Sequence, residues 1–515
     1  MKNYALDTLS VSKSCEERKK DMIAQGNELF QKKPMLKSED WWAVWLGLFI
    51  FLLSMGPVFG VELLGWVVKF NVWVDTSKAL APVSKSFASL GGIGSAVVTY
   101  LFLMAITTVG AVAMGSKAKK FMAGFTVIYW ITFICMFLGT NGYIAATPDK
   151  LGGLKIPWSL SLGDMGFVIA MIIGLVIGNF FPGVSKFLEG AAKPEWFIKT
   201  GIVILGAAIA IKTVGALGLA NTVIIRGFCA VIEAYLIYWP VTYFIARKYF
   251  KFTPEWAAPL ASGVSICGVS AAIATAAAIR ARPIVPAILS AVIIVFVAVE
   301  MLLLPLLAQT WLFTEPMVAG SWMGLAVKSD GGAISSGAIA DSLIRAKALT
   351  DLGIRWEEGW ILMVATTTKV FIDVFIGVWA FILAIVWSVF RIDKSKATRS
   401  GLEKVSAGEI WERFPKFIIG FIVTFLILLL MGLNSPGIVK AASIGTDQAN
   451  ALRTLFFALC FFSIGMVTNV RKLWAAGMGR IVGVYTVCLF GFIIWVGLVI
   501  SWLFYHGITP PVIAG

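Results

Sequence analysis

The chain has 515 residues, 59% hydrophobic and 14% charged, with a formal net charge of +15. A water-soluble domain carries roughly 25% charged residues, so an ordinary soluble fold is excluded, and the continuous apolar runs exclude a membrane β-barrel, whose strands alternate. One histidine and six cysteines without a CxxC pair exclude a histidine-built catalytic or metal centre and a disulfide framework.

Residues 1–40 are polar and basic, with Lys13, Arg18, Lys19, Lys20, Lys32, Lys33 and Lys37. A cleavable signal would be apolar by then, so this reads as a cytoplasmic, partly helical tail. The apolar runs that follow predict an all-α polytopic membrane protein with about 13 transmembrane helices. The first covers 41–60 and opens on Trp41, Trp42 and Trp45 at an interface. Residues 61–80 are amphipathic and expected along the membrane surface. Spans near 88–115 and 120–143 complete a set of N-terminal extra helices, taken as 41–157. Ten more lie near 160–182, 198–216, 221–246, 256–280, 283–309, 317–340, 358–391, 415–433, 447–470 and 479–505. They divide into a first part of a transport core, 158–340, and a remainder, 341–515, with a basic cytoplasmic loop near 391–415.

Most lysines and arginines fall between apolar runs, where they orient helices and meet lipid headgroups; no nucleic-acid partner is expected. The pattern predicts a multi-pass protein of the bacterial inner membrane with a cytoplasmic N-terminus. Arg280, Arg282, Arg345, Lys347 and Arg355 break the pattern by landing outside. Either one span is miscounted or these charges face an outer vestibule.

The last ten spans divide into two groups of five, so the second runs inverted relative to the first. Each group has a small, polar interruption in its fourth span. The first is Gly263-Val-Ser265-Ile-Cys267-Gly268-Val-Ser270, the second Phe461-Phe-Ser463-Ile-Gly465-Met-Val-Thr468-Asn469. Interrupted helices in matching positions point to a transporter binding site. A break at the first would aim free N–H groups and a positive helix end into the bundle, an anion site without formal charge. Close packing of small residues is the competing reading. A third irregular stretch, 322–332, puts Lys328, Ser329, Asp330 and two glycines inside a span and reads as another wall.

Ionisable residues at membrane depth are costly and therefore candidates for function. Glu233, Glu300, Asp330, Lys369 and Asp373 are the candidates for coupling or charge compensation, against a salt-bridge reading for each. The substrate-binding candidates are Gly263, Ser265, Cys267, Gly268, Ser270, Lys328, Ser463, Gly465 and Thr468.

Several of these motifs resemble the YeiH-type family of bacterial membrane proteins, labelled sulfate exporters. The resemblance rests on Gly174-Leu-Val-Ile-Gly178-Asn179, Lys199-Thr-Gly201-Ile-Val-Ile-Leu-Gly206 and above all Gly263-Val-Ser-Ile-Cys-Gly-Val-Ser-Ala271. Gly320-Ser-Trp-Met-Gly324, the Lys369 helix and Phe462-Ser-Ile-Gly-Met-Val-Thr468 follow in order, over roughly residues 158–505. The family's His-Asp pair is replaced by Lys328 and Ser329, with Asp330 next. The resemblance implies a sodium–bile-acid-symporter-like fold of inverted five-helix repeats with two broken crossing helices.

The expected function is secondary active transport of a small anion (sulfate, a sulfonate or a small carboxylate) by alternating access. An anion channel and a membrane-embedded enzyme are the alternatives. No GxxxxGK[ST] motif is present, which argues against ATP-driven transport by this chain alone. No cofactor and no catalytic residue are expected; a coupling Na⁺ or H⁺ is. The expected partners are the small anionic solute, membrane lipids and, as an option, a second copy in a homodimer.

Overall fold

The computed structural model describes residues 34–146, 148–160, 162, 165–282, 284–390, 411, 414–468 and 479–513. Most of the basic tail and of the loop near 391–415 lies outside them. The main helices are α1 (Glu39–Ser54), α2 (Gly91–Ala113), α3 (Ala118–Gly139), α4 (Gly166–Phe180) and α5 (Pro194–Gly215). Next come α6 (Leu217–Lys248), α7 (Pro254–Ser265), α8 (Val269–Ala278), α9 (Ile284–Trp311), α10 (Pro316–Ala326) and α11 (Asp330–Leu352). The last four are α12 (Trp360–Trp387), α13 (Phe417–Asn434), α14 (Pro436–Val467) and α15 (Gly479–Tyr505). The chain is thus an all-α polytopic membrane protein, with one two-stranded ribbon among the described residues. That ribbon, β1 (Val68–Phe70) with β2 (Leu80–Pro82), is antiparallel with Lys69 opposite Ala81, and lies in the stretch read as a surface amphipathic segment.

Among the described residues, ten helices are long and apolar enough to cross a bilayer, or eleven if α4 is joined to Pro182–Leu188 across a 116° bend. The other two of the thirteen expected spans, 256–280 and 317–340, are not continuous helices. Each is a helical hairpin. In the first, α7 runs up and α8 runs back, because Thr275 donates its hydroxyl proton to Ser262 Oγ at 2.6 Å. In one straight helix those residues would stand about 20 Å apart. At the hairpin's base the Arg282 N–H donates to Glu255 Oε1 at 2.6 Å. In the second hairpin, Gly324 of α10 and Gly337 of α11 both lie against Ala365 of α12. Its base closes where the Lys347 ammonium sits 4.8 Å from the Phe313 ring. Limbs such as α7, α8 and α10, with 10 to 12 residues, are too short to span a hydrocarbon core of about 30 Å.

The sequence at each tip accounts for the reversal. Gly268 takes φ +76°, which a side chain would strain. Ser329 caps α11, its hydroxyl accepting from the Gly332 N–H at 3.3 Å. The tips, 266–268 and 327–329, meet so closely that a Cβ on Gly268 would run into the Lys328 carbonyl oxygen.

The helices pack as two groups. A scaffold is built from α1 to α5, α13 and α14: α4 packs on α14, and α5 on α13, α14 and α1. A bundle is built from α6 to α12 and α15, with α12 lying against both limbs of the second hairpin. Few contacts join the groups, chiefly α5 with α6 and α11, and α9 with α14. The tip of the first hairpin meets that of the second hairpin, not the span near 447–470. Helices α6 and α15 each carry a π-helical turn, Ile232–Tyr238 and Leu489–Ile493.

Candidate functional site

The tips of the two hairpins bring the charged residues together. The Lys369 ammonium of α12 donates to Ile266 O at 2.9 Å and to Val327 O at 3.4 Å. Those carbonyls end α7 and α10, so one cation sits where two helix dipoles are negative. On the other side of each tip, α8 and α11 begin, and their positive ends face the same junction. The Lys328 N–H donates to Glu300 Oε2 of α9 at 2.8 Å. The Lys328 ammonium donates to Leu325 O and lies 4.6 Å from the Tyr238 ring. Tyr238 in turn donates its hydroxyl proton to Ile493 O at 2.8 Å, joining the last residues of the two π-helical turns. Glu233, in the first of those turns, is fully buried beside it. Gly497 makes the room: a Cβ there would stand 2.7 Å from the Tyr238 hydroxyl and 3.5 Å from Glu233 Oε1.

Cys267, Asp330 and Asp373 converge at the same junction, their Sγ and carboxylate oxygens all within 4.8 Å of one another. Gly263 and Ser265 occupy the inner seam of the first hairpin. Gly263 is held against Ile293, and the Ser265 hydroxyl donates to Thr242 Oγ1 at 3.4 Å. Ser270 lies half-buried in the first turn of α8. The tip region therefore gathers Cys267, Gly268, Ser270, Lys328, Asp330, Lys369, Asp373, Glu300 and Glu233, from the two tips and five helices.

Ser463, Gly465 and Thr468 are not part of it. Helix α14 runs unbroken through Ser463 to Val467. The Ser463 hydroxyl donates to Leu459 O and that of Thr468 to Ile464 O, each at 2.7 Å, as ordinary back-bonds along a helix. A Cβ on Gly465 would collide with the Met171 carbonyl, and one on Gly174 with the Phe462 carbonyl. This is a small-residue crossing of α4 and α14, where backbones touch. The second interruption read at 461–469 lies at 327–329 instead, in the stretch read as a third wall.

A second feature bears on the charges for which an outer vestibule was one of two readings. On the face that carries Glu315, Glu357 and His506, a cavity of about 1170 Å³ opens between scaffold and bundle. A neighbouring one of about 500 Å³ shares Lys150, Glu358 and Arg453 with it. Lys69, Lys85, Lys150, Lys212, Arg345, Arg355 and Arg453 line the two, against Glu62, Asp341, Glu358 and Asp447. The field in this vestibule is therefore net positive. The Arg345 guanidinium, 3.5 Å from Glu358 Oε2, holds that carboxyl below the usual range. Arg453 reaches in from α14 with its guanidinium 5.4 Å over the Phe457 ring, and its Nε and Nη1 have no hydrogen-bond partner. Ala338 of α11 lines the vestibule. Gly331, at the tip end of the same helix, is about 10 Å further in. The ribbon strand β1 contributes Lys69 and Phe70 to the wall, so the N-terminal segment shapes the entrance. The sequence signal was charge: Arg345 and Arg355, which broke the topology pattern, and Lys212 and Arg453, ionisable residues inside apolar spans.

Residues 160–483 match the family model described as conserved hypothetical protein 698. The chain is 40% identical over 483 residues to a UPF0324 membrane protein of Nitrosomonas europaea, covering 93% of this chain and 98% of that one. It is 49% identical over 173 residues to an uncharacterized protein of Archaeoglobus fulgidus, covering 29% and 88%. It is 30% identical over 406 residues to a UPF0324 membrane protein of Rhodopirellula baltica, covering 77% and 64%. No solved structure matches.

Proposed function

This chain belongs to the conserved hypothetical protein 698 family, the UPF0324 membrane proteins, and from that premise we propose that it is a secondary carrier of a small anion, working by alternating access. The observation that carries this reading is the tip-to-tip meeting of two helical hairpins that enter from opposite faces of the bundle. Hairpins of this kind place backbone N–H groups and helix ends at membrane depth, where solutes can be bound without a continuous pore. The cationic vestibule argues for the sign of the solute. Sulfate, a sulfonate or a small carboxylate would be drawn in by Arg453 and Lys212 and passed to the N-terminal ends of α8 and α11. Lys328 and Lys369 supply neutralising charge there. With the bundle moving against the scaffold, the tips would meet first one face and then the other. The chain is read as a carrier and not as an enzyme, because two helical hairpins meeting at membrane depth serve solute passage.

Its place is the bacterial inner membrane, with the basic tail inside. The hairpin reversal supports this orientation. It returns Arg280 and Arg282 to the face of Arg247 and Lys248, so those two no longer break the charge pattern. Arg345, Lys347 and Arg355 remain outside and belong to the vestibule or its rim.

The test is uptake by proteoliposomes holding the full chain, with labelled sulfate, a sulfonate and a small carboxylate supplied in turn. Saturable uptake that exchanges with the same unlabelled anion is expected. An unsaturated, voltage-following flux would make the protein a channel, and no flux of any anion would remove the proposal.

A further inference from the structure

The tip region carries more acid than base. Lys328 and Lys369 stand among Glu233, Glu300, Asp330 and Asp373, and all six are buried. Two of the acids face each other: Asp330, in the first turn of α11, and Asp373 on α12 bring a carboxylate oxygen each within 4.8 Å across the helix interface. Asp330 is 3% exposed and Asp373 1%. The Oδ1 atom of each is buried with no hydrogen-bond partner. Two ionised carboxylates that close, out of water, repel each other strongly, and neither oxygen can donate.

The surrounding charges offset the repulsion only in part. Lys369 lies one turn from Asp373 on α12 and its charge favours an ionised carboxylate there, but its ammonium protons are directed to the Ile266 and Val327 carbonyls. Across the bundle–scaffold boundary, Lys199 of α5 is within electrostatic reach of the pair. It is already held by Asp40 of α1 at 2.8 Å and by Glu195 at 3.4 Å. From α7–α8 the pair meets the Cys267 thiol, and from α6 the Tyr235 hydroxyl, which donates to Ile372 O at 2.6 Å. Lys328 and Glu300 of α9 are engaged with each other through the Lys328 N–H.

We propose that Asp330 and Asp373 form a one-proton site, in which a single proton is shared between the two carboxyls while the second hairpin rests on α12. The proton would be the coupling ion of the carrier. When α11 moves off α12 the shared hydrogen bond breaks, both carboxyls meet water, and the proton leaves as hydronium. When they close again one proton is taken up from the water on the facing side. One clause of this rests on the carrier reading, namely that the hairpin moves during transport. The shared proton itself does not. The site joins the tip of one hairpin, the second limb of the other and α12, so its occupancy reports their closure.

The experiment uses the purified full chain in detergent, with aspartate labelled in its side-chain carboxyl carbon so that Glu233 and Glu300 do not contribute. Infrared spectra at neutral pH should show the protonated carboxyl band of one aspartate per chain in the wild type, a reading that needs no variant. D330N and D373N should each lose that band, and the double variant should lose no more than either single one. C267S should keep it. An absent band in the wild type would overturn the proposal, as would a double variant that loses twice what the singles lose. A wild type without the band whose melting temperature rises in sodium but not in choline chloride would assign the pair to Na⁺ and likewise overturn it. Loss of anion uptake with the band intact would instead strike the carrier reading.

Discussion

Gly268 is where a single atom decides the geometry. Its φ of +76° and the Lys328 carbonyl against its Cα leave no place for a methyl group. Gly268→Ala should cost roughly 1–3 kcal/mol, read as a lowered melting temperature of the purified protein. Ser463→Ala should lose only a helix back-bond, about 1 kcal/mol or less, and leave any anion-dependent thermal shift unchanged. A lost shift in that variant would restore Ser463 to the site. The contrast marks what was legible residue by residue. The density of small and polar residues at 263–270 pointed to the first tip, because glycine and serine there serve a reversal. The same composition at 461–469 serves the crossing of α4 and α14. Small residues let backbones approach, whether the neighbour is another helix or the chain's own turn. Charge was the better guide: Lys328, Asp330, Lys369 and Asp373 do meet. Arg453 stands out as a charge in the span near 447–470, but the cavity it enters was not legible, since it is made by β1, α5 and the turn before α12, far apart in sequence.

At the level of elements, hydropathy registers length and apolarity but not direction. A hairpin of two short apolar helices and a single crossing helix have nearly the same profile, which is why 256–280 and 317–340 read as spans. The charges flanking them carry the missing sign. Arg282 pairs with Glu255, so both ends of the first hairpin lie on one face. Single cysteines placed at Lys251 and Arg282, in a background where the native cysteines are replaced, should react with an impermeant maleimide from the same side of the membrane. A cysteine at Lys347 should react from the other. Opposite labelling of the first two would turn the hairpin back into a crossing helix.

For the whole molecule, the thin boundary between scaffold and bundle is the part that must move. A Cβ on Gly331 of α11 would stand 3.2 Å from Ile198 Cβ of α5, close to the separation of bridged cysteines. An Ile198→Cys/Gly331→Cys pair should bridge on oxidation and stop anion uptake, with reduction restoring most of it. Uptake that survives bridging would mean the groups do not slide there. The fold also sets a rule on the two entrances. One ammonium, that of Lys369, holds a carbonyl at the tip of each hairpin. Pulling either tip away takes one of the ammonium's two acceptors, so the remaining tip becomes its sole anchor and is gripped harder. The two doors of the carrier thus share one latch. Lys369→Gln should leave them free to swing together, and vesicles holding that variant should leak their anion down its gradient with no exchange partner supplied.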